Sequence, residues 1–138
     1  FQNYGMAIDF RYDGLIGFWN ENSRIKFNES SSDMIIVGAD YTLPIFNNML
    51  IMAEAMFVSI EQKNMPNSFQ RAIAFMSSSP IGMFHNFMLI SEVNLENNQS
   101  NNYLRWSSTY DSVILNYMIS TKAKEEGNSF QLMLIFNH

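Results

Sequence analysis

The chain opens with a strict alternation of large apolar side chains with small or charged ones. Apolar residues at every second position indicate a β-strand with one buried face. The Asp13-Gly14 pair that follows is typical of a two-residue type I′ turn, so we predict a β-hairpin. The apolar positions of its first strand are Tyr4, Met6, Ile8, Phe10 and Tyr12.

A two-residue loop also fixes which residues of the hairpin share a face. It pairs Phe10 with Gly17 and places Trp19 on the apolar face of the first strand, which we assign to the core. The opposite, outer face then carries Ile16 and Phe18. The sequence therefore predicts exposed apolar side chains on the first hairpin.

Shorter alternating or apolar runs predict further strands in both halves of the chain. The pattern is interrupted in the middle and returns after residue 83, and a charged turn is predicted at residues 121–128. The predicted strands beyond the hairpin cover residues 24–28, 34–37, 87–95, 103–107, 112–120 and 130–136.

The central segment, residues 41–63, is apolar and nearly uncharged, and we predict that it forms a helix from residue 42 to 63. Thr42 or Asp40 can cap such a helix, and Pro44 is tolerated in its first turn. At 100° per residue most apolar side chains fall in one sector, whereas Ile51 and Val58 lie beside the polar line. That polar line consists of Asn47, Glu54 and Glu61.

The predicted fold class is α+β, with an antiparallel sheet built from both ends of the chain and the central helix packed on it. The element order is four strands, the helix, a shorter helix at 67–77, and four strands. We expect one domain over residues 1–138, at a length that can bury a sizeable core. Its predicted parts are a β-rich half at 1–40, a helical segment at 41–79 ending in a linker at 77–82, and a β-rich half at 83–138.

Composition narrows the classes of partner. Charged residues make up 15% of the chain and the net charge is −5, with no basic stripe, which argues against duplex DNA as a partner. The absence of cysteine excludes disulfides and thiolate metal sites. Because the first residue is Phe1, we expect a processed form or part of a longer chain.

Candidate chemistry is sparse. The two histidines, His85 and His138, have no metal-ligand partner at a suitable spacing, and no phosphate loop or nucleophile motif occurs. Four aspartates crowd the first third of the chain, but turns and helix starts explain them better than catalysis does. We therefore expect no metal and no cofactor. The four aspartates are Asp9, Asp13, Asp33 and Asp40.

These observations favour a non-enzymatic interaction or assembly module that self-associates or binds another protein. The expected contact residues are apolar side chains on the outer face of the first sheet and beside the polar line of the helix. Residues 72–91 lack charge but contain too many polar residues for a membrane span, so no membrane span is expected. The contact residues are Ile16, Phe18, Ile51 and Val58.

Two alternatives remain at the level of sequence. Exposed sheet aromatics together with scattered cations are how single-stranded nucleic acid is bound. An enzyme whose site is assembled from distant residues, with His85 and an aspartate, is the second alternative. The residues expected to bind nucleic acid are Arg11, Phe18, Lys26, Arg105 and Trp106.

Overall fold

The computed structural model describes residues 4–27, 29–122 and 127–136. These residues form one antiparallel sheet of nine strands, in which the spatial order follows the chain from β1 to β9. No helix occurs within the described ranges. The strands are β1 (Tyr4–Tyr12), β2 (Gly17–Phe27), β3 (Ser30–Leu43), β4 (Met49–Gln62), β5 (Ser68–Ile81), β6 (His85–Asn94), β7 (Gln99–Tyr110), β8 (Val113–Lys122) and β9 (Asn128–Phe136).

The predicted α+β fold class and its central helix are wrong, because the segment forms the end of β3, a turn and β4. Phe46, Asn47 and Asn48 have φ values of 47°, 61° and 69°, and this left-handed run cannot belong to an α-helix. Beyond the turn, apolar residues occupy both odd and even positions of β4. When a strand has apolar residues on both faces, its sequence also matches the apolar sector of an amphipathic helix. Periodicity alone therefore could not distinguish the two, and the helix prediction was wrong.

The shorter predicted helix at 67–77 and the linker at 77–82 are wrong for the same reason. Both belong largely to β5, which pairs with β4 and β6 along its length. Ser77 and Ser79 are buried within this strand, so the serine run is part of the sheet.

The first hairpin is confirmed, but its predicted register is wrong. Tyr12 pairs with Phe18, so the loop has five residues in place of two. A register shift of three residues, an odd number, moves every side chain of β2 to the other face. Phe18 consequently joins the apolar residues of β1, and Trp19 lies on the opposite face.

Strands predicted in the second half are confirmed in existence as β6 to β9, and β7 is much longer than the predicted run at 103–107. The runs at 24–28 and 34–37 are parts of the longer strands β2 and β3. Residues 28, 123–126 and His138 lie outside the described residues, and with them part of the predicted charged turn.

The sheet has two faces, which follow from the register because directly paired residues share a face. Both faces carry apolar side chains in β4, but most of the charged strand residues lie on one of them, which we call the polar face. The apolar face comprises even-numbered residues of β1, β2, β7 and β9 and odd-numbered residues of β3, β4, β5, β6 and β8. The polar face comprises the remaining strand residues. The register pairs that connect neighbouring strands on the apolar face include Tyr12–Phe18, Phe18–Ala39, Ala39–Ala53, Ala53–Phe75, Phe75–Ser91, Ser91–Asn102, Asn102–Thr121 and Thr121–Asn128.

Large apolar side chains are more exposed on the apolar face than on the polar face, whereas the small Ser31, Ser77, Ser79 and Ser108 are buried on the apolar face. Met118 on the polar face of β8 is 9% exposed, whereas its neighbour Ile119 on the apolar face is 43% exposed. In β5 the same contrast separates Ala72, at 8%, from Ile73, at 46%. Side chains that crowd together on one face and diverge on the other indicate a curved sheet, with the polar face concave and the apolar face convex.

The sheet is a single layer. Its accessible surface is 10029 Å², whereas a compact monomer of this mass exposes roughly 7,400 Å². Strands contact only their neighbours in sequence, and within the described ranges β1 and β9 do not contact each other. Both are therefore open edges. No helix formed by the described residues is long and apolar enough to cross a membrane.

Candidate functional site

The apolar face carries many large apolar side chains, with smaller and polar ones between them, and it carries charge only toward one end of the sheet. That end contains the turns from β2 to β3, β4 to β5 and β6 to β7. Along β5 the uncharged face extends from Ile73 to Ile81, about 27 Å at the usual rise of a strand. The charged residues on the apolar face are Arg24, Lys26, Asp33, Glu61 and Arg71.

Most of these charged side chains have a partner of opposite sign at the same end. Arg24 Nε lies 3.3 Å from Asp33 Oδ1, and Arg71 Nε lies 2.7 Å from an oxygen of Glu96. Lys26 Nζ lies 6.0 Å from the ring centre of Tyr4. The charged end is thus a rim, and the surface above it is uncharged.

Polar side chains that interrupt the apolar face on β2 bond to protein groups. Asn20 Nδ2 donates to the carbonyl oxygen of Ile36 at 3.2 Å, and the amide of Asn22 donates to the Asn20 side-chain oxygen. These two asparagines are the uncharged polar residues of β2 within the apolar face. Their mutual bonding reduces the cost of placing them away from water.

A second polar group on the apolar face lies around Ser108. Its Oγ lies 2.9 Å from His85 Nδ1 and accepts a hydrogen bond from Trp106 Nε1 at 3.2 Å. Ser79 Oγ donates to the carbonyl oxygen of Phe46 at 2.9 Å. Ser77 on the same face differs from these residues, because its Oγ is buried without a hydrogen-bond partner.

The polar face carries acidic and basic side chains along the concave side of the sheet. Trp19 lies over Gly38, where no Cβ would fit beneath the indole, and its Nε1 donates to Glu54 at 3.3 Å. Glu54, Ala74 and Glu92 are successive register partners on β4, β5 and β6. A depression of about 230 Å³ lies beside this row.

Arg11 is held by two aspartates at the edge of the polar face. Its Nε lies 2.8 Å from Asp13 Oδ1, and its Nη2 lies 3.8 Å from Asp40 Oδ2. The hydrogen bond and charge of Asp13 raise the pKa of Arg11 above its usual value, with a smaller contribution from Asp40. These contacts occupy the guanidinium and leave it poorly placed to bind a phosphate.

The four predicted contact residues are divided between the faces. Phe18 and Ile51 lie on the apolar face, and the exposed Ile16 lies in the adjoining loop. Ile16 and Ile51 line the same depression of about 200 Å³ together with Phe75. Val58 lies on the polar face.

The residues predicted to bind nucleic acid do not form one surface. Phe18, Lys26 and Trp106 lie on the apolar face, whereas Arg11 and Arg105 lie on the polar face. Arg105 Nε is buried there without a hydrogen-bond partner. Two of the three cations, Arg11 and Arg105, therefore lie on the opposite side of the sheet from the aromatic rings.

The candidate catalytic residues are also apart. His85 packs against Trp106 and Tyr110 on the apolar face, with ring centres 5.5 and 6.0 Å away. Asp13, Asp33 and Asp40 lie in ion pairs with arginines. In the described part of the chain, no cluster of three or more acidic or histidine side chains could hold a metal ion.

No protein-family model matches this chain, no curated protein is similar to it, and no solved structure matches its fold. Its function must therefore be inferred from the residues and the sheet.

Sequence reasoning missed the apolar face as a whole, because the helix prediction hid its central strands. The signal was present at alternate positions. Residues 49, 51, 53, 55 and 57 of β4 are all apolar, and so are 73, 75 and 81 of β5.

Proposed function

We propose that the chain is a non-enzymatic interaction and assembly module whose working surface is the apolar face. The observation that carries this proposal is the exposure of that face in a sheet with almost no core. Among the described hydrophobic residues only Ala72 and Met118 are buried.

The size of the apolar face supports the proposal. Nine strands spaced by about 4.8 Å and some 27 Å long give this face an outline of roughly 1,100 Å², most of which is apolar, with asparagine and serine side chains between. The largest apolar patch on an ordinary monomer is about 300–600 Å². A face of this size, left in water, would drive association through the hydrophobic effect.

The two open edges give the module a way to self-associate. The outward backbone groups of β1 and β9 face no other strand in the described ranges, and such edges are templates for pairing with another chain. We expect edge pairing between copies to join the sheets, while the apolar face is covered by a further partner.

Light scattering and a hydrophobic dye test this function. In detergent-free buffer we expect the refolded chain to form assemblies and to bind the dye, because its apolar face is uncovered. Adding detergent should disperse the assemblies, which light scattering detects. A monodisperse monomer in buffer that binds no dye would refute the proposal.

A further inference from the structure

We infer that the partner covering the apolar face is the hydrocarbon interior of a lipid bilayer, so that the strands cross the membrane with their polar face turned away from lipid and with the edges of β1 and β9 paired to further strands. This inference rests on the proposed function, because it names the partner of the same surface. Four observations support lipid over a second protein surface.

The first observation is the direction of curvature. Exposed Ile73 and Ile119 lie on the convex side, and buried Ala72 and Met118 lie on the concave side. A soluble antiparallel sheet turns its apolar face toward a core, and two sheets packed face to face stay about 10 Å apart across their interface. Two convex faces touch along a narrow zone only, whereas fluid acyl chains conform to any curvature.

The second observation is the match of dimensions. The strands have 9 to 14 residues, and a tilted strand of about 9–11 residues crosses the hydrocarbon core. Membrane-spanning strands present an apolar band about 25 Å tall. The uncharged face along β5, from Ile73 to Ile81, is long enough for this.

The third observation is the placement of charge and aromatic rings. Charged residues of the apolar face occur only at its rim, as Arg24 and Arg71 do, where they would meet headgroups and water. Tyr12 and Tyr110 lie at the opposite end, beside the turns. Aromatic side chains of this kind concentrate at the boundary between lipid and water.

The fourth observation is the bonding of polar groups within the apolar face. Asn20, Asn22, Ser79 and Ser108 all form hydrogen bonds with protein groups. An unbonded polar group costs several kcal/mol in hydrocarbon, whereas water would satisfy it at an exposed face. Internal bonding of these groups fits a surface from which water is excluded.

The expectation of no membrane span rested on the absence of a long apolar run. That criterion detects helices, and the structure has no such helix in its described part. A membrane-spanning strand needs apolar residues at every second position only, and the apolar face supplies them in neighbouring strands.

The two tryptophans provide a built-in test, because Trp106 lies on the apolar face and Trp19 on the polar face. The full chain is refolded with phosphatidylcholine vesicles, floated on a density gradient, and its fluorescence is compared in vesicles with and without brominated acyl chains. The variants are Trp19→Phe, which leaves Trp106, and Trp106→Phe, which leaves Trp19. Circular dichroism confirms the sheet in each.

We expect the chain to float with the vesicles, and brominated lipid to quench Trp106 while leaving Trp19 almost unchanged, because alternate residues of a membrane-spanning strand face lipid. Each variant is informative alone against the wild type, so one that fails to fold does not end the test. Flotation with equal quenching of both tryptophans would overturn the inference, because it would mean adsorption without an oriented face.

The remaining outcomes separate the inference from the proposed function. A discrete oligomer in buffer that stays at the bottom of the gradient would overturn the lipid assignment and leave the assembly module standing. A dye-free monomer that also fails to float would overturn both.

Discussion

Replacing Ala53 or Ala74 by arginine makes a matched pair of perturbations on the two faces. Ala53 lies at the middle of the uncharged run on β4, which extends from Met49 to Phe57 on the apolar face. Ala74 lies at nearly the same height on β5, because it pairs with Glu54, the residue after Ala53. The two variants introduce the same residue at nearly the same height along the strands, and they differ only in the face that carries it.

The expected magnitudes differ because the surroundings differ. An arginine at the middle of a lipid-facing strand costs about 2–4 kcal/mol, a roughly 30- to 900-fold change in the folding equilibrium. At Ala74 the new guanidinium stands between Glu54 and Glu92, beside open space of about 230 Å³. A partly exposed ion pair contributes about 0–1 kcal/mol, so Ala74→Arg should be close to neutral.

Equilibrium unfolding in lipid vesicles or micelles, followed by far-ultraviolet circular dichroism, measures both free energies. We expect Ala53→Arg to lower the free energy of unfolding by at least about 2 kcal/mol more than Ala74→Arg. An exposed position in water would tolerate the arginine within about 0.5 kcal/mol. Equal effects of the two substitutions would refute the assignment of the apolar face to lipid.

Two further predictions concern the sheet itself, and the same unfolding measurement checks both. Gly38→Ala should destabilise by about 1–3 kcal/mol, because a Cβ there would overlap the ring of Trp19, whereas at Gly5 the nearest atom would be 3.8 Å away. Gly5→Ala is therefore the control, and equal stability of the two variants would contradict the packing described. Asn20→Leu should lower the free energy of unfolding by about 1 kcal/mol more than Asn22→Leu does. Asn20→Leu removes the acceptor of the Asn22 amide, whereas Asn22→Leu leaves Asn20 bonded to Ile36. A larger loss for Asn22→Leu would show that the asparagines do not depend on each other in this way.

The parts of the fold that the sequence predicts well are those where one signal dominates. Strands β6 to β9 combine alternation with polar or charged turns, and all four were found. The segment from 41 to 63 contains apolar residues at both parities, so strand and helix patterns overlap there. The left-handed turn at Phe46–Asn48 excludes a helix here, and the segment forms two strands. In the sequence, the turn was indicated by the two consecutive asparagines.

The candidate surface was predictable only in fragments. Phe18 and Ile51 were identified as exposed apolar residues, and both lie on the apolar face. The incorrect loop length at Asp13-Gly14 put Trp19 on the wrong face, since an odd shift in register exchanges the faces of a strand. Curvature depends on how neighbouring strands pack, so the convexity of the apolar face could not be read from periodicity.

The connection of each strand only to its neighbours in sequence also has a kinetic meaning. Each pair of hydrogen-bonded strands is joined by a turn or short loop. No strand pairing therefore requires two segments that are far apart in the sequence to meet. Folds dominated by such local pairings form faster than those that need distant ones, and nearest-neighbour architectures can grow from any starting unit. We expect this sheet to assemble hairpin by hairpin, and to lose an edge hairpin before its centre when it unfolds.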